Sequence, residues 1–220
     1  MMTQQCAFPV RTVPSHPAAL AQQAAPGTLE RFGAADPGRA GIEAFIAQAF
    51  LATYGAHISH FCDVLVGCRG PDGAWIAALG YSLAQDAPLF LEHYLDAPVE
   101  VAIGQCVGQP VARAGIVEVG NLAALHPGAA RALIVSTTEL LYGMGLELVT
   151  FTATASLLNS FGRLHLQPRL LAPADPERVP GAGRQWGSYY ATQPHVMFGD
   201  IRYGHEKLAR LLSRSTRPAQ

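Results

Sequence analysis

Charge is what this chain has least of. Only 14% of its 220 residues are Asp, Glu, Lys or Arg, against roughly 25% in an average soluble domain. A single lysine, Lys207, stands among 15 basic residues, which leaves Schiff-base chemistry almost nothing to work with. Half of the residues are apolar, and that excludes disorder over the whole length. Long apolar runs are missing too. The longest stretch without a charged residue, Ala44 to Cys62, is broken by Gln48, Thr53, Tyr54, Gly55, His57, Ser59 and His60, whereas a membrane span needs about 20 predominantly apolar residues. The first 20 residues carry Pro9, Pro14 and Pro17 but neither a positive cluster nor a continuous apolar core, so no secretory signal is expected. Four cysteines without a C-x-x-C make neither a disulfide framework nor a zinc knuckle, and a cytoplasmic location is expected.

Several catalytic signatures are absent: G-x-S-x-G, the Walker A loop, G-x-G-x-x-G and H-E-x-x-H. His57 and His60 stand three apart with no third ligand indicated, so no metal site is expected. Nucleic acid is not an expected partner, because the basic excess is modest and lacks interleaved aromatics. The charge present is uneven. Residues 1–160 hold 6 basic and 12 acidic side chains and residues 161–220 hold 9 and 4, which suits an acidic partner, a phosphorylated cosubstrate or an anionic membrane surface at the C-terminal third.

Periodicity divides the chain into a Pro-, Ala- and Gln-rich flexible arm (1–38), a folded domain (39–213) and a short disordered tail (214–220). Ile42, Phe45, Ile46, Ala49, Phe50 and Thr53 share one helical face ending near Gly55. Phe61–Arg69 and Ala74–Leu83 read as a hairpin, and a helix is expected from Pro98, with proline at its first position, to about Val107. Gly115–Gly120 is strand-like, His126–Ala130 a loop, and the stripe Leu133, Ile134, Thr137, Leu140, Leu141 and Met144 a helix. The strand Leu148–Thr154, a helix striped by Leu157, Leu158, Phe161 and Leu164, and the strand Arg169–Ala172 follow. After a Pro- and Gly-rich loop come a strand near Val196–Ile201 and a basic C-terminal helix. This succession predicts an α/β fold, a mixed sheet with at least one parallel crossover.

Within that pattern Glu118 stands out. It lies between Val117 and Val119, where a charge is costly unless it is paired or reaches a cleft. Burial would tune it toward general-base chemistry; the alternative is an edge-strand carboxylate facing water. Glu92, His93, Tyr94 and Asp96 place three ionisable groups and a phenol in five residues, suited to an amine or polar acceptor, or else a surface turn anchored by Leu89, Phe90, Leu91 and Leu95. Trp186, Tyr189 and Tyr190 are candidates for a pocket wall or for core anchors. The helix start after Gly128, Ala129 and Ala130, with Arg131 beside it, offers free N–H groups to a pyrophosphate or phosphopantetheine.

In their order these features resemble the acyl-CoA acyltransferase superfamily that holds the GNAT N-acetyltransferases and the acyl-homoserine-lactone (autoinducer) synthases. The signatures differ: Leu125-His-Pro-Gly-Ala-Ala130 stands where a GNAT shows Q/R-x-x-G-x-G/A, and Glu118-Val-Gly-Asn121 where an autoinducer synthase shows Glu-Leu-Ser-Arg. More specifically, Pro88-Leu-Phe-Leu-Glu-His-Tyr-Leu-Asp96, Val117-Glu-Val-Gly-Asn-Leu-Ala123, Phe151-Thr-Ala-Thr154, Trp186-Gly-Ser-Tyr-Tyr190 and Pro194-x-Val196 resemble the bacterial thermostable hemolysin family over residues 41–201. The resemblance implies a single-domain GNAT-like fold and an acyl group moved from acyl-CoA or an acyl carrier protein, as cosubstrate, to a small-molecule amine. Glu118 would be catalytic, and Asn121 with the aromatic and acidic segments would bind substrate. The family name implies the other reading, a membrane-active cytolytic protein. Against it, the sequence shows no paired amphipathic β segments and no lytic amphipathic helix.

Overall fold

The computed structural model of the protein describes residues 29–179 and 185–215. In chain order the elements are β1 (Glu30–Phe32), α1 (Arg39–Tyr54), β2 (Val64–Arg69), β3 (Trp75–Leu83), α2 (Val99–Val107), β4 (Ile116–Ala124), α3 (Pro127–Gly143), β5 (Leu148–Ala153), α4 (Ala155–Arg163), β6 (Arg169–Pro173), β7 (His195–Asp200) and α5 (Ile201–Ser215). Short 3-10 turns form at Phe90–Tyr94 and Tyr189–Thr192. The strands make one sheet in the order β1-β2-β3-β4-β5-β7-β6. Every pairing is antiparallel except β4 with β5, which α3 joins as a crossover.

Alternation along the strands assigns the two layers. Ile42 and Ile46 of α1 pack with Leu65, Ala78 and Ala123, and Leu91, Tyr94, Val99 and Ile103 extend that layer onto Ile116, Val196 and Phe198. On the other face Leu133 and Leu141 of α3 and Ile201 of α5 cover Val66, Leu79, Tyr81 and Val117. α4 joins this second layer through Phe161 against Phe151. Residue 118, between Ile116 and the 3-10 turn that covers it, therefore faces the first layer.

Local chemistry sets the ends of the elements. Gly55 closes α1 in the left-handed region at φ 66°, its N–H returning to the Leu51 carbonyl and the Ala56 N–H to that of Phe50, as a glycine does without Cβ strain. The hairpin turns at residues 70–73, where Asp72 Oδ1 accepts from the Ala74 N–H.

Three expectations are corrected. The stretch His126–Ala130 is not a loop: α3 starts at Pro127, and the His126 ring caps it by accepting the Ala129 N–H at 3.1 Å, a role that leaves no trace in a hydrophobic pattern. Pro98 is the N-cap of α2 rather than its first residue. Residues 30–32, inside the expected N-terminal arm, form the edge strand β1 against β2; three residues are too few to show a period of two. Residues 1–28 of that arm lie outside the described residues, as do residues 216–220 of the expected tail.

Candidate functional site

The central strand β4 is where the sheet opens. Its pairing with β5 runs from Ile116↔Leu148 to Val119↔Phe151 and stops there, although β4 continues to Ala124 and β5 to Ala153. At the same point the register with β3 shifts, from Gly80↔Gly120 to Ala78↔Ala123, and Asn121 takes a positive φ of 56°. A bulge of this kind bends the strand. Beyond Val119 the β5-facing edge of β4 therefore lacks a ladder partner, which leaves backbone groups available in a cleft.

A cavity of about 490 Å³ passes through this opening. On the first face its wall is aromatic, with Phe50 and Tyr54 from α1, Phe90 and Tyr94 from the 3-10 turn, and Trp186 and Tyr189. Glu118, His60 and Cys62 lie among them. On the second face the wall is chiefly apolar, with Ile134 and Leu141 of α3, Val149 and Phe151 of β5, Leu157 and Phe161 of α4, and Ile201 of α5. Two chambers on opposite sides of the sheet thus meet beside the junction of β4 and β5.

Glu118 stands at that junction, paired in register with Ser82 and Thr150. It is 6% exposed, and its Oε2 accepts the Leu91 N–H at 3.3 Å. Burial pushes its carboxyl up to about 7; the N–H groups of Leu91 and Phe90 pull the other way, and the charges of Glu92 and Asp63 add to the rise. Among the described residues no arginine or lysine forms an ion pair with it. The N–H donors come from the Pro88–Asp96 segment, whose Leu89, Leu91 and Tyr94 are buried. The same packing that anchors this turn delivers its amides to the carboxylate.

The segment His60–Cys62 lies flush against the sheet. A Cβ on Gly80 would fall 2.6 Å from the Cys62 Cβ, so glycine there allows the close approach. Asn121 fixes this segment, accepting the Cys62 N–H at 2.9 Å and donating to the His60 carbonyl at 3.2 Å. The His60 ring stacks on Phe90 with centroids 4.6 Å apart, and burial lowers its pKa. Burial likewise raises the Cys62 thiol, so it remains protonated.

The aromatic segment is tied to the end of α1. Ser188 donates its N–H to the Tyr54 carbonyl at 2.8 Å, and His57 donates its own to the Gln185 carbonyl at 2.7 Å. A Cβ on Gly187, at φ 50°, would collide with that Tyr54 carbonyl, which accounts for the glycine of Trp186-Gly-Ser. Tyr94 and Tyr190 join hydroxyls at 2.7 Å, and burial pushes both phenols up.

The candidates read from sequence separate accordingly. Glu118, Tyr94, Asn121, Trp186, Tyr189 and Ala130 line the cavity. Tyr190 stands behind Tyr94. Glu92 does not reach the cavity: it accepts the Leu89 and Val99 N–H groups and pairs with Arg113 at 2.7 Å. Burial opposes its ionisation, but these donors outweigh it and hold the carboxyl below its ordinary range. His93 turns its Nδ1 to the Phe90 carbonyl, and Asp96 pairs with Arg178 at the surface. Neither lines the cavity. Gly128, Ala129 and Arg131 also stand off it; the Ala129 amide is already capped by His126, and Arg131 Nε is buried without a partner.

Sequence reasoning missed Phe50, Tyr54, His60, Cys62 and Phe90 as cavity residues. The α1 stripe carried Phe50, but a stripe alone does not distinguish a core wall from a cavity wall. Among the described residues no group of three or more His, Cys, Asp or Glu can hold a metal ion, and no helix is long and apolar enough to cross a membrane.

This mixed sheet, opened between parallel central strands, is similar in fold to solved acyltransferases and autoinducer synthases. The acyl-homoserine-lactone synthase LasI aligns at TM-score 0.58 and 11% identity, covering 87% of this chain and 97% of its own. BjaI, a CoA-dependent acyl-homoserine lactone synthase solved with SAM and isopentyl-CoA, gives 0.57 at 13% identity over 87% and 90%. FeeM, an N-acyl amino acid synthase from uncultured soil microbes, gives 0.55 at 10% over 84% and 99%. No curated protein sequence matches the chain. The profile of the thermostable hemolysin family matches residues 32–205, and the chain belongs to that family.

Proposed function

We propose that the protein is an acyltransferase that moves an acyl group from a thioester, acyl-CoA or an acyl carrier protein, to the amine of a small molecule. The observation that carries the reading is Glu118, a carboxylate buried at the point where two chambers meet across the opened sheet, where burial pushes it up to about 7. The apolar chamber under α3, α4 and α5 takes the acyl chain, and the aromatic chamber takes the acceptor.

An ammonium group arriving beside Glu118 is paired first and then deprotonated, because a base near pH 7 holds and releases protons under working conditions. The amine nitrogen attacks the thioester carbonyl carbon, and charge develops on the carbonyl oxygen. Backbone N–H groups of β4 beyond Val119, freed from the ladder, are the donors suited to that oxygen. Collapse of the tetrahedral species breaks the C–S bond; of the two protons the nitrogen loses, one passes through Glu118 to the departing thiolate and the other goes to solvent, leaving a neutral amide and a free thiol. Asn121 positions the His60–Cys62 wall of the acceptor chamber. The reading needs no tightly bound cofactor, and a cytoplasmic enzyme with access to activated acyl donors fits it.

The test is direct. Purified full-length protein is incubated with acyl donors from C4 to C16, carried on CoA or on an acyl carrier protein, and a panel of primary amines. Free thiol is followed by a thiol-reactive chromophore and the amide product by mass spectrometry. Amine-dependent thiol release with matching amide supports the reading. Its absence with both CoA and carrier-protein donors overturns it.

A further inference from the structure

The acceptor chamber carries a chemical preference of its own. Six aromatic rings form its wall in continuous contact: Trp186 lies 6.2 Å from Phe50, 6.1 Å from Phe90 and 5.2 Å from Tyr189, with Tyr189 a further 5.3 Å from Tyr54 and Phe90 6.2 Å from Tyr94. The charged groups lining the described cavity, Glu118 and Asp200, are both acidic. His60 is held toward its neutral form by burial, and His126 spends Nδ1 on the α3 cap. Among the described residues, the guanidinium groups around the aromatic chamber are committed elsewhere. Arg113 holds Glu92 and Glu100, Arg178 holds Asp96 with the His93 and Leu95 carbonyls, and Arg39 holds Glu43 with the Cys62 and Asp63 carbonyls.

A buried carboxylate with no cation among the described residues to pair it, surrounded by ring faces, is a site for a ligand cation. The same surroundings penalise a ligand anion, which would meet Glu118 at short range and find no guanidinium or ammonium among the described residues to replace its water. We propose that the acceptor is an arylalkylamine, a cationic amine on a short chain from an aromatic ring and without a carboxylate, and that α-amino acids are excluded. The ammonium sits between Glu118 and the faces of Phe90 and Trp186, and the aryl end stacks among Phe50, Tyr54 and Tyr189. This inference rests on the acyl-transfer reading for its chemistry but not for its binding.

The experiment pairs molecules that differ by one carboxylate: phenethylamine with phenylalanine, tyramine with tyrosine, tryptamine with tryptophan. Isothermal titration calorimetry on the full-length protein reads binding without a donor, and amide formation from decanoyl-CoA reads use. The expected result is a preference for each amine of about 100-fold or more in Kd and in kcat/KM. Amine binding should fall at least about tenfold in both Glu118→Gln and Trp186→Ala. Amine binding with no amide from any donor upholds the inference while the acyl-transfer reading fails. Amino acids that bind or react within tenfold of their amines overturn it, as does failure of the amines to bind. Arg184 lies outside the described residues, so Arg184→Gln is run in parallel: amino acid use that this change abolishes overturns the inference and assigns the carboxylate to Arg184.

Discussion

Replacing Glu118 by Gln separates catalysis from structure, because the two consequences have opposite signs. The carboxyl is raised from its ordinary 4.5 to about 7, chiefly by burial. The native state therefore holds a proton that the unfolded chain releases between those values, and wild-type stability declines as pH rises through that window and levels off above it. At about 1.4 kcal/mol per unit, burying the ionised form costs the fold about 3 kcal/mol at pH 8. Glu118→Gln keeps an acceptor for the Leu91 N–H and removes the charge. The variant is then expected to melt about 6–12 °C higher than wild type at pH 8 and within a degree or two of it at about pH 4, where both carry a neutral side chain.

Activity moves the other way. Loss of a general base costs about 10²- to 10⁴-fold in turnover, and the wild-type rise of kcat/KM with pH, with its midpoint near 7, should vanish in the variant. Differential scanning calorimetry at the two pH values and a pH–rate profile for thiol release give both readouts. A variant that is fully active and folded refutes the catalytic role. A variant no more stable than wild type at pH 8 refutes the argument that an unpaired anion is buried there.

The periodic elements were legible in the sequence because burial wrote them there. The α1 stripe through Ile42 and Ile46, the hairpin either side of Gly70–Gly73, and the β4-α3-β5 crossover follow from which residues must face a core. Glu118 was legible for the converse reason, as a charge where periodicity demands an apolar side chain. What stayed hidden depends on three-dimensional pairing. The Glu92 carboxylate is spent on two backbone N–H groups and Arg113, an arrangement set by a residue 21 positions away. His60 lies at the cavity in a segment whose carbonyl is held by Asn121, 61 positions distant. The start of α3 was displaced because its cap is a histidine ring rather than Ser, Thr, Asp or Asn.

Two further changes probe the supports of the site, and a third experiment probes the name. Leu157→Trp adds bulk to the apolar chamber and should cut use of C12 and longer donors by about 10- to 100-fold while C4 donors lose less than threefold, measured as kcat/KM across a chain-length series. Arg113→Met leaves Glu92 and Glu100 without their cation and should cost about 3 kcal/mol in urea unfolding at pH 7; an unchanged midpoint removes the network from the account. Lysis by the protein itself is expected to be absent. α5 is the helix with a basic exposed face, the kind that binds bilayers when its apolar side is free. That side is already occupied: Leu208 is buried and Leu211 packs with it against Ile134, Leu164 and Leu166. Inserting α5 into lipid would strip the wall from the apolar chamber, exchanging one hydrophobic environment for another while losing the packing. Purified protein at micromolar concentration should therefore release no dye from phosphatidylcholine–phosphatidylglycerol vesicles, and dose-dependent, size-limited leakage would refute this assignment of α5 to the core.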